Sequence, residues 1–101
     1  MTASKDTKGK PPLALLPYNS LAEVAKVFEY GAKKYKMHDW RQGHKQLDMI
    51  SASLRHTYKY LEGNNQDEES GLEHLAHAAT NLLIVLQQIS DGTSIDDRYK
   101  K

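Results

Sequence analysis

DEESGLEHLAHAATNLLIVLQQI, residues 67 to 89, is the stretch on which the fold turns, because a helix signal, an apolar stripe and a cluster of ligand-type side chains coincide there. Ser70 followed three residues later by Glu73 has capping-box spacing, the hydroxyl taking a free backbone N–H and the glutamate reaching back. This predicts a helix from Gly71. Leu72, Leu75, Ala76, Ala79, Leu82, Leu83 and Leu86 recur at helical spacing within one arc, the face expected to bury against partner helices. His74, His77 and Asn81 stand on roughly the opposite side at i, i+3 and i+7, with Ala78, Ile84, Val85 and Gln88 on or beside that stripe. A solvated face would not carry so many small and apolar residues. The helix therefore reads as packed on both sides, its second layer a polar pocket. Two readings of the histidines stand together: core residues satisfied by hydrogen bonds, or, with Asp67, Glu68, Glu69 and Glu73 preceding them, ligands for a divalent metal or for a water it activates.

The rest of the chain narrows the class. A length of 101 residues allows one domain with a modest core. The 14 Lys and Arg against 13 Asp and Glu leave no electrostatic case for a duplex nucleic-acid or membrane-surface protein. Without cysteine there is no disulfide scaffold, thiolate nucleophile or Cys-type zinc site. No apolar run approaches the roughly 20 residues that span a bilayer, and the polar start lacks a signal-peptide core. A soluble, cytoplasmic protein is expected.

Residues 1–9 read as a flexible N-terminal arm. Pro11 and Pro12 force an extended path whose Leu13, Leu15 and Leu16 are expected to lie across a helix surface. Asn19 or Ser20 is expected to cap a first helix, Ser20 with Glu23 repeating the capping-box spacing, and Leu21, Val24, Ala25, Phe28, Ala32 and Tyr35 form its apolar stripe. Lys33 and Lys34 near its end read either as a solvated face or as phosphate contacts. Gly31 costs about 1 kcal/mol relative to alanine inside a helix, which points to close approach by another backbone or a ligand. The aperiodic segment that follows combines Tyr35, His38, Trp40 and Arg41, residue types that stack on bases and grip phosphates, or that simply lid a core. A second helix spans about 46 to 62, with Leu47, Ile50, Leu54 and Leu61 at helical spacing, Arg55 and His56 on its flank and Gly63 as its stop. Arg98 and Tyr99 in the charged tail are placed to cover a neighbouring pocket. The class is all-α. Three helices do not close a core efficiently, so a three-helix protomer completing a four-helix-bundle-like core by oligomerisation is expected, as a dimer or higher.

The strings KPPLALLP from Lys10, EVAKVFEYGAKKY with a downstream Trp-Arg, LRH, DEESGLEHLAHAATNLL and DDRYK keep their order in a known pattern. The chain resembles the phage dATP/dGTP diphosphohydrolase domain family, the MazZ-like members of the MazG-type all-α nucleoside triphosphate pyrophosphohydrolases. The resemblance covers the chain from residue 10 and implies a single MazG-like domain over 10–101, acting in the host cytoplasm if phage-encoded. It also implies dimerised four-helix cores and carboxylates in ExxE and ExxD patterns that hold magnesium against a triphosphate. This chain departs from that pattern. His74 and His77 stand where the ExxD helix has acids, Arg55 and His56 where ExxE is expected, and Asn64 replaces an acid, whereas Asp67 and Glu69 match. Magnesium prefers oxygen, so a histidine-rich site implies manganese or zinc, or no metal.

Three functions follow. In the first, a pyrophosphohydrolase uses His56, His74 and His77 as metal ligands with Asp67 and Glu69 as catalytic carboxylates. Tyr35, Trp40 and Asn81 then hold base or sugar, and Lys33, Lys34, Arg41, Arg55 and Arg98 hold phosphates. In the second, the same pocket sequesters a cyclic or ADP-ribose-type nucleotide messenger without turnover. A plain assembly bundle is the third, and it leaves the histidine stripe and the 31–41 segment unexplained.

Overall fold

Three helices carry the protein, and the computed structural model describes residues 2–100. They are α1 (Tyr18–Lys34), α2 (Gln46–Leu61) and α3 (His74–Asp91), with short 3-10 turns at Leu13–Leu15 and Asp39–Gln42. The described residues contain no strand beyond two isolated bridges, Lys45 with Ile95 and Gln66 with Glu73, so the all-α expectation holds. No helix among them is long and apolar enough to cross a membrane.

Both capping boxes fail, for different reasons. Proline 17 sets the start of α1, its extended backbone turning the chain and its carbonyl accepting the Leu21 N–H. Ser20 then lies inside the helix, and Glu23 pairs with Lys26 at 2.9 Å. Helix α3 starts at His74, three residues after the expected Gly71, because segment 64–73 folds back on itself first. The His74 N–H donates to Asn65 O and the Asp67 N–H to Leu72 O. Gly71, at φ +73°, closes that loop in a backbone conformation an L side chain rarely adopts. α2 ends as expected, with Gly63 at φ +102°.

The core sits where α3 meets α2 and α1. Small residues let α2 and α3 approach closely, and the Ser53 hydroxyl donates to Ala78 O at 2.7 Å. On α3 the buried side chains are His74, Ala76, Ala78, Thr80, Ile84, Val85 and Gln88. This corrects the expected core face. Leu75, Leu82, Leu83, Leu86 and Ile89 on the opposite arc are all exposed, as are Leu47, Leu54 and Leu61 on α2. The leucine ridge is the more apolar face, but the described residues leave it about half uncovered, while the polar stripe is buried by this chain's own helices. The strap expectation fails likewise, since Leu13, Leu15 and Leu16 all remain exposed.

The C-terminal segment is tied in by its backbone. Ile95 N–H donates to His44 O, Gln46 N–H donates to Ile95 O, and Asp97 Oδ1 accepts the N–H of Leu47 in the first turn of α2. That carboxylate caps a helix start from fifty residues away.

Candidate functional site

A cavity of about 940 Å³ opens between α1, the 35–44 segment and the buried stripe of α3. Each wall is a consequence of helical spacing. α3 contributes His77, Thr80, Asn81 and Ile84, positions i, i+3, i+4 and i+7. From α1 come Phe28, Tyr30, Gly31 and Lys34, and from α2 Met49 and His56, one face seven residues apart. Apart from its chain neighbours and its own helix backbone, no described atom lies within 4 Å of where a Gly31 side chain would start, so the backbone approach expected there does not occur and the glycine lines the cavity.

One end of the cavity is a histidine cluster. His56 Nδ1 and His74 Nδ1 are 2.8 Å apart, and the His56 ring stacks on His77 at 4.5 Å with the planes 7° apart. His77 Nε2 lies 2.7 Å from the Ser70 hydroxyl, which also accepts the Leu72 N–H. This is why Ser70 is no helix cap: its oxygen serves the loop and the histidine. Burial, reinforced by the neighbouring rings, pulls His56 below the ordinary imidazole value, and burial does the same to His77. Both rings are therefore neutral at pH 7, with a lone pair each. Burial pushes the Asp67 carboxyl up, but hydrogen bonds from Ser70, aided by the electrostatic pull of His77 and His56, outweigh it and hold the group below the usual carboxylate range.

Ligand atoms of His56, Asp67 and His74 all lie within 4.8 Å of one another. Two imidazoles and one carboxylate suit a borderline divalent cation such as manganese or zinc. They do not suit magnesium, which wants a shell of oxygens. His77 stands outside this trio, committed to Ser70 and stacked on His56.

Glu69 is placed differently from Asp67. Its Oε1 accepts from Tyr30 OH at 2.6 Å and from Lys34 Nζ at 2.7 Å, clasping the 64–73 loop to α1. The lysine, then the tyrosine hydroxyl, keep that carboxyl below its usual value. Lys34 also lies over the Tyr30 and Tyr35 rings. At the other end of the cavity Trp40 meets Phe28 edge-on at 5.5 Å, and the Arg41 guanidinium covers the Trp40 face at 4.4 Å.

The cavity thus gathers Lys34, Tyr35, Trp40, Arg41, His56, Asp67, Glu69, His77 and Asn81. His74 sits buried behind His56. Lys33 and Arg55 are exposed and outside the lining. Arg98 is outside it too, paired with Asp96 at 2.8 Å, and Tyr99 stands 86% exposed, so the tail does not cover a pocket of this chain.

Sequence reasoning missed the device that holds the Trp40–Arg41 wall. Gln88 is 0% exposed; its amide donates to Trp40 O and lies 2.8 Å from His44 Nδ1, and its carbonyl accepts the His44 N–H. Its backbone oxygen takes the Thr93 and Ser94 N–H groups. One buried side chain thereby joins α3, the aromatic segment and the C-terminal turn. The available signal was position: Gln88 lies eleven residues, three turns, beyond His77 on the cavity stripe. Gly43, at φ +114°, permits the crossing, because a Cβ there would collide with Thr93 O.

Comparison with known proteins adds the family. No solved structure matches the chain. Over 98 residues it is 37% identical to the dATP/dGTP diphosphohydrolase of Salmonella phage PMBT28, which covers 97% of this chain and 33% of that protein. The chain thus spans about a third of the length of this curated relative. Residues 1–98 match the sequence profile described as dATP/dGTP diphosphohydrolase, N-terminal, and the chain belongs to that family.

Proposed function

We propose that the cavity binds a nucleoside triphosphate and serves its hydrolysis to nucleoside monophosphate and pyrophosphate. The observation that carries this reading is the convergence of phosphate-type, base-type and water-activating groups in one cavity. Lys34 and Arg41 are cations with reach, Tyr35 and Trp40 offer aromatic faces, and His56, Asp67 and His77 form the third group. The relative's name, dATP/dGTP diphosphohydrolase, and the family support the reaction class. In this reaction water attacks the α-phosphorus, the bond to the bridging oxygen breaks, and pyrophosphate leaves with the electron pair. His56, Asp67 and His74 would hold a borderline cation, which supplies charge neutralisation at the phosphates and orients the water. Asp67, ionised, suits the role of ligand. Neutral His77, steadied by Ser70 and lining the cavity, would serve as proton acceptor for the attacking water. Lys34 and Arg41 hold the phosphate chain, while Glu69 fixes Lys34. The uncovered leucine faces make a homo-oligomer part of the same reading.

One observation favours a second reading, sequestration of a nucleotide without turnover. Glu69 is committed to Tyr30 and Lys34, which leaves Asp67 as the only carboxylate of the donor trio among the described residues. The pyrophosphohydrolases that the chain resembles rely on several.

Incubation with dNTPs, NTPs and cyclic or ADP-ribose-type nucleotides, with manganese, zinc, magnesium or chelator, followed by mass spectrometry of every small molecule, tests both readings. Monophosphate with pyrophosphate, lost on chelation, is the expected result. A nucleotide recovered intact only after heat denaturation would overturn hydrolysis in favour of sequestration. Neither outcome would leave the cavity without a nucleotide role.

A further inference from the structure

The catalytic reading leaves Gln88 without a task, yet no other large side chain among the described residues is so completely buried. An amide taken out of water loses its hydrogen bonds unless the protein replaces them, and here it does. The two N–H groups face Trp40 O and His44 Nδ1, and the carbonyl accepts the His44 N–H at 3.1 Å. Only one orientation achieves this. A flipped amide would set acceptor against acceptor at Trp40 O and donor against donor at the His44 N–H. Gln88 therefore keeps no N–H for a ligand, and it lies outside the cavity lining.

What it holds is a stretch with unusual backbone. His38, at φ +67°, is the one non-glycine among the described residues with a positive φ, and Gly43 follows at +114°. Between them the turn Asp39–Gln42 carries Trp40 and Arg41, both of which line the cavity. A residue with a side chain persists in the left-handed region only where the surrounding structure enforces it. The turn has a second polar tie to α3, Arg41 with Asp91 at 3.8 Å, but both side chains are more than a third exposed and such a pair holds little. The buried amide is the principal clamp between the turn and α3.

We propose that Gln88 is a positioning residue for nucleotide binding, which touches no substrate and acts by holding the Trp40 ring and the Arg41 guanidinium where base and phosphate meet them. This deepens the nucleotide reading above and rests on it. The chemistry falls to His56, Asp67 and His77 at the other end of the cavity, so Gln88 bears on affinity and not on the chemical step.

Calorimetric titration of the full chain with α,β-methylene dATP and dGTP, which resist cleavage, gives Kd; pyrophosphate release from saturating dATP and dGTP with manganese gives kcat. Gln88→Met keeps the length of the side chain and removes all three bonds. It should weaken the better-bound analogue about tenfold and leave kcat within about twofold, the pattern of binding lost equally from ground and transition states. Combined with Arg41→Ala, it should weaken binding by less than the product of the two single effects, because both act on one wall. Unchanged Kd in Gln88→Met would overturn the proposal. A fall in kcat as large as the loss of affinity, or full additivity with Arg41→Ala, would overturn it too, since either marks a general loosening of the chain. If Gln88→Met fails to fold, Gln88→Asn, which keeps the amide but is one methylene short of its partners, is read by the same criteria. A wild type that binds without turnover leaves Kd and additivity to decide. Wild-type protein that binds neither analogue would remove the nucleotide reading itself, and this proposal with it.

Discussion

The two faces of α3 invert the usual relation between apolarity and burial. One face carries His77, Thr80, Asn81, Ile84 and Gln88 and is turned inward, toward the cavity and the 35–44 segment. The opposite arc carries Leu75, Leu82, Leu86 and Ile89, each more than 40% exposed. A protomer that buries glutamine and leaves four large apolar side chains in water is not minimising its own apolar area. The lesson is that the polar face was placed by specific hydrogen bonds within the chain, and the apolar face is expected to be covered by another copy of it.

The strongest way to break this comparison is to remove a polar group that the cavity face relies on. Asp67→Asn and His77→Ala should each lower pyrophosphate release at least about a hundredfold. Melting temperature should move little for Asp67→Asn, which stays isosteric. If His77→Ala instead unfolds the chain while Asp67→Asn keeps full activity, the cluster is a structural core and other groups carry the hydrolysis.

The other face is challenged by charge. Leu82→Lys should convert an oligomer to a monomer in sedimentation, since an unpaired charge inside an apolar interface costs several kcal/mol. Wild type and variant of equal mass and equal stability would mean that the leucine ridge is merely exposed.

Gly31 probes the cavity wall supplied by α1. Gly31→Ala should stabilise by about 1 kcal/mol through helix propensity, raising the melting temperature by roughly 4–8 °C for a chain this small. Beyond its own helix, no described atom opposes the new methyl. If a ligand passes close to that wall, the gain in stability comes with weaker nucleotide binding; binding left intact would place the ligand elsewhere in the cavity.

Acidification should separate the faces by a few degrees. His56 and His77 titrate below the ordinary value of 6.5 when folded, so below about pH 6.5 the unfolded chain takes up protons that the native site refuses. Stability contributed by keeping these rings neutral is present above that pH and falls as pH drops through the window beneath it. Asp67 and Glu69, held below their usual values, withdraw support only at lower pH. Thermal melts from pH 7.5 to 5 should show the slope, and His56→Gln should flatten it, whereas Leu82→Lys should not.

Much of this was legible in the chain. The span of α2 came within a residue of its end, because a stripe of about four turns closed by Gly63 leaves little freedom. The starts of α1 and α3 were misread by two or three residues, because capping-box spacing records only that a hydroxyl and a carboxylate are near. It does not say whether Pro17 has already turned the chain or whether Ser70 has a better use beside His77. Asp67 and His56 were identifiable as ligand types, yet spacing alone could not exclude His77 from the trio or commit Glu69 to Tyr30 and Lys34. His44 and Gln88 carried no motif, since their partnership spans forty-four residues and exists only once α3 and the aromatic segment cross.

By itself the sequence determined the all-α class, the number of helices, the two stripes of α3 and the residue types available for chemistry, because these follow from local periodicity and side-chain identity. Only the tertiary structure decided which stripe faces inward and which carboxylate joins the histidines. Those choices depend on distances between helices, and no single helix's periodicity encodes them.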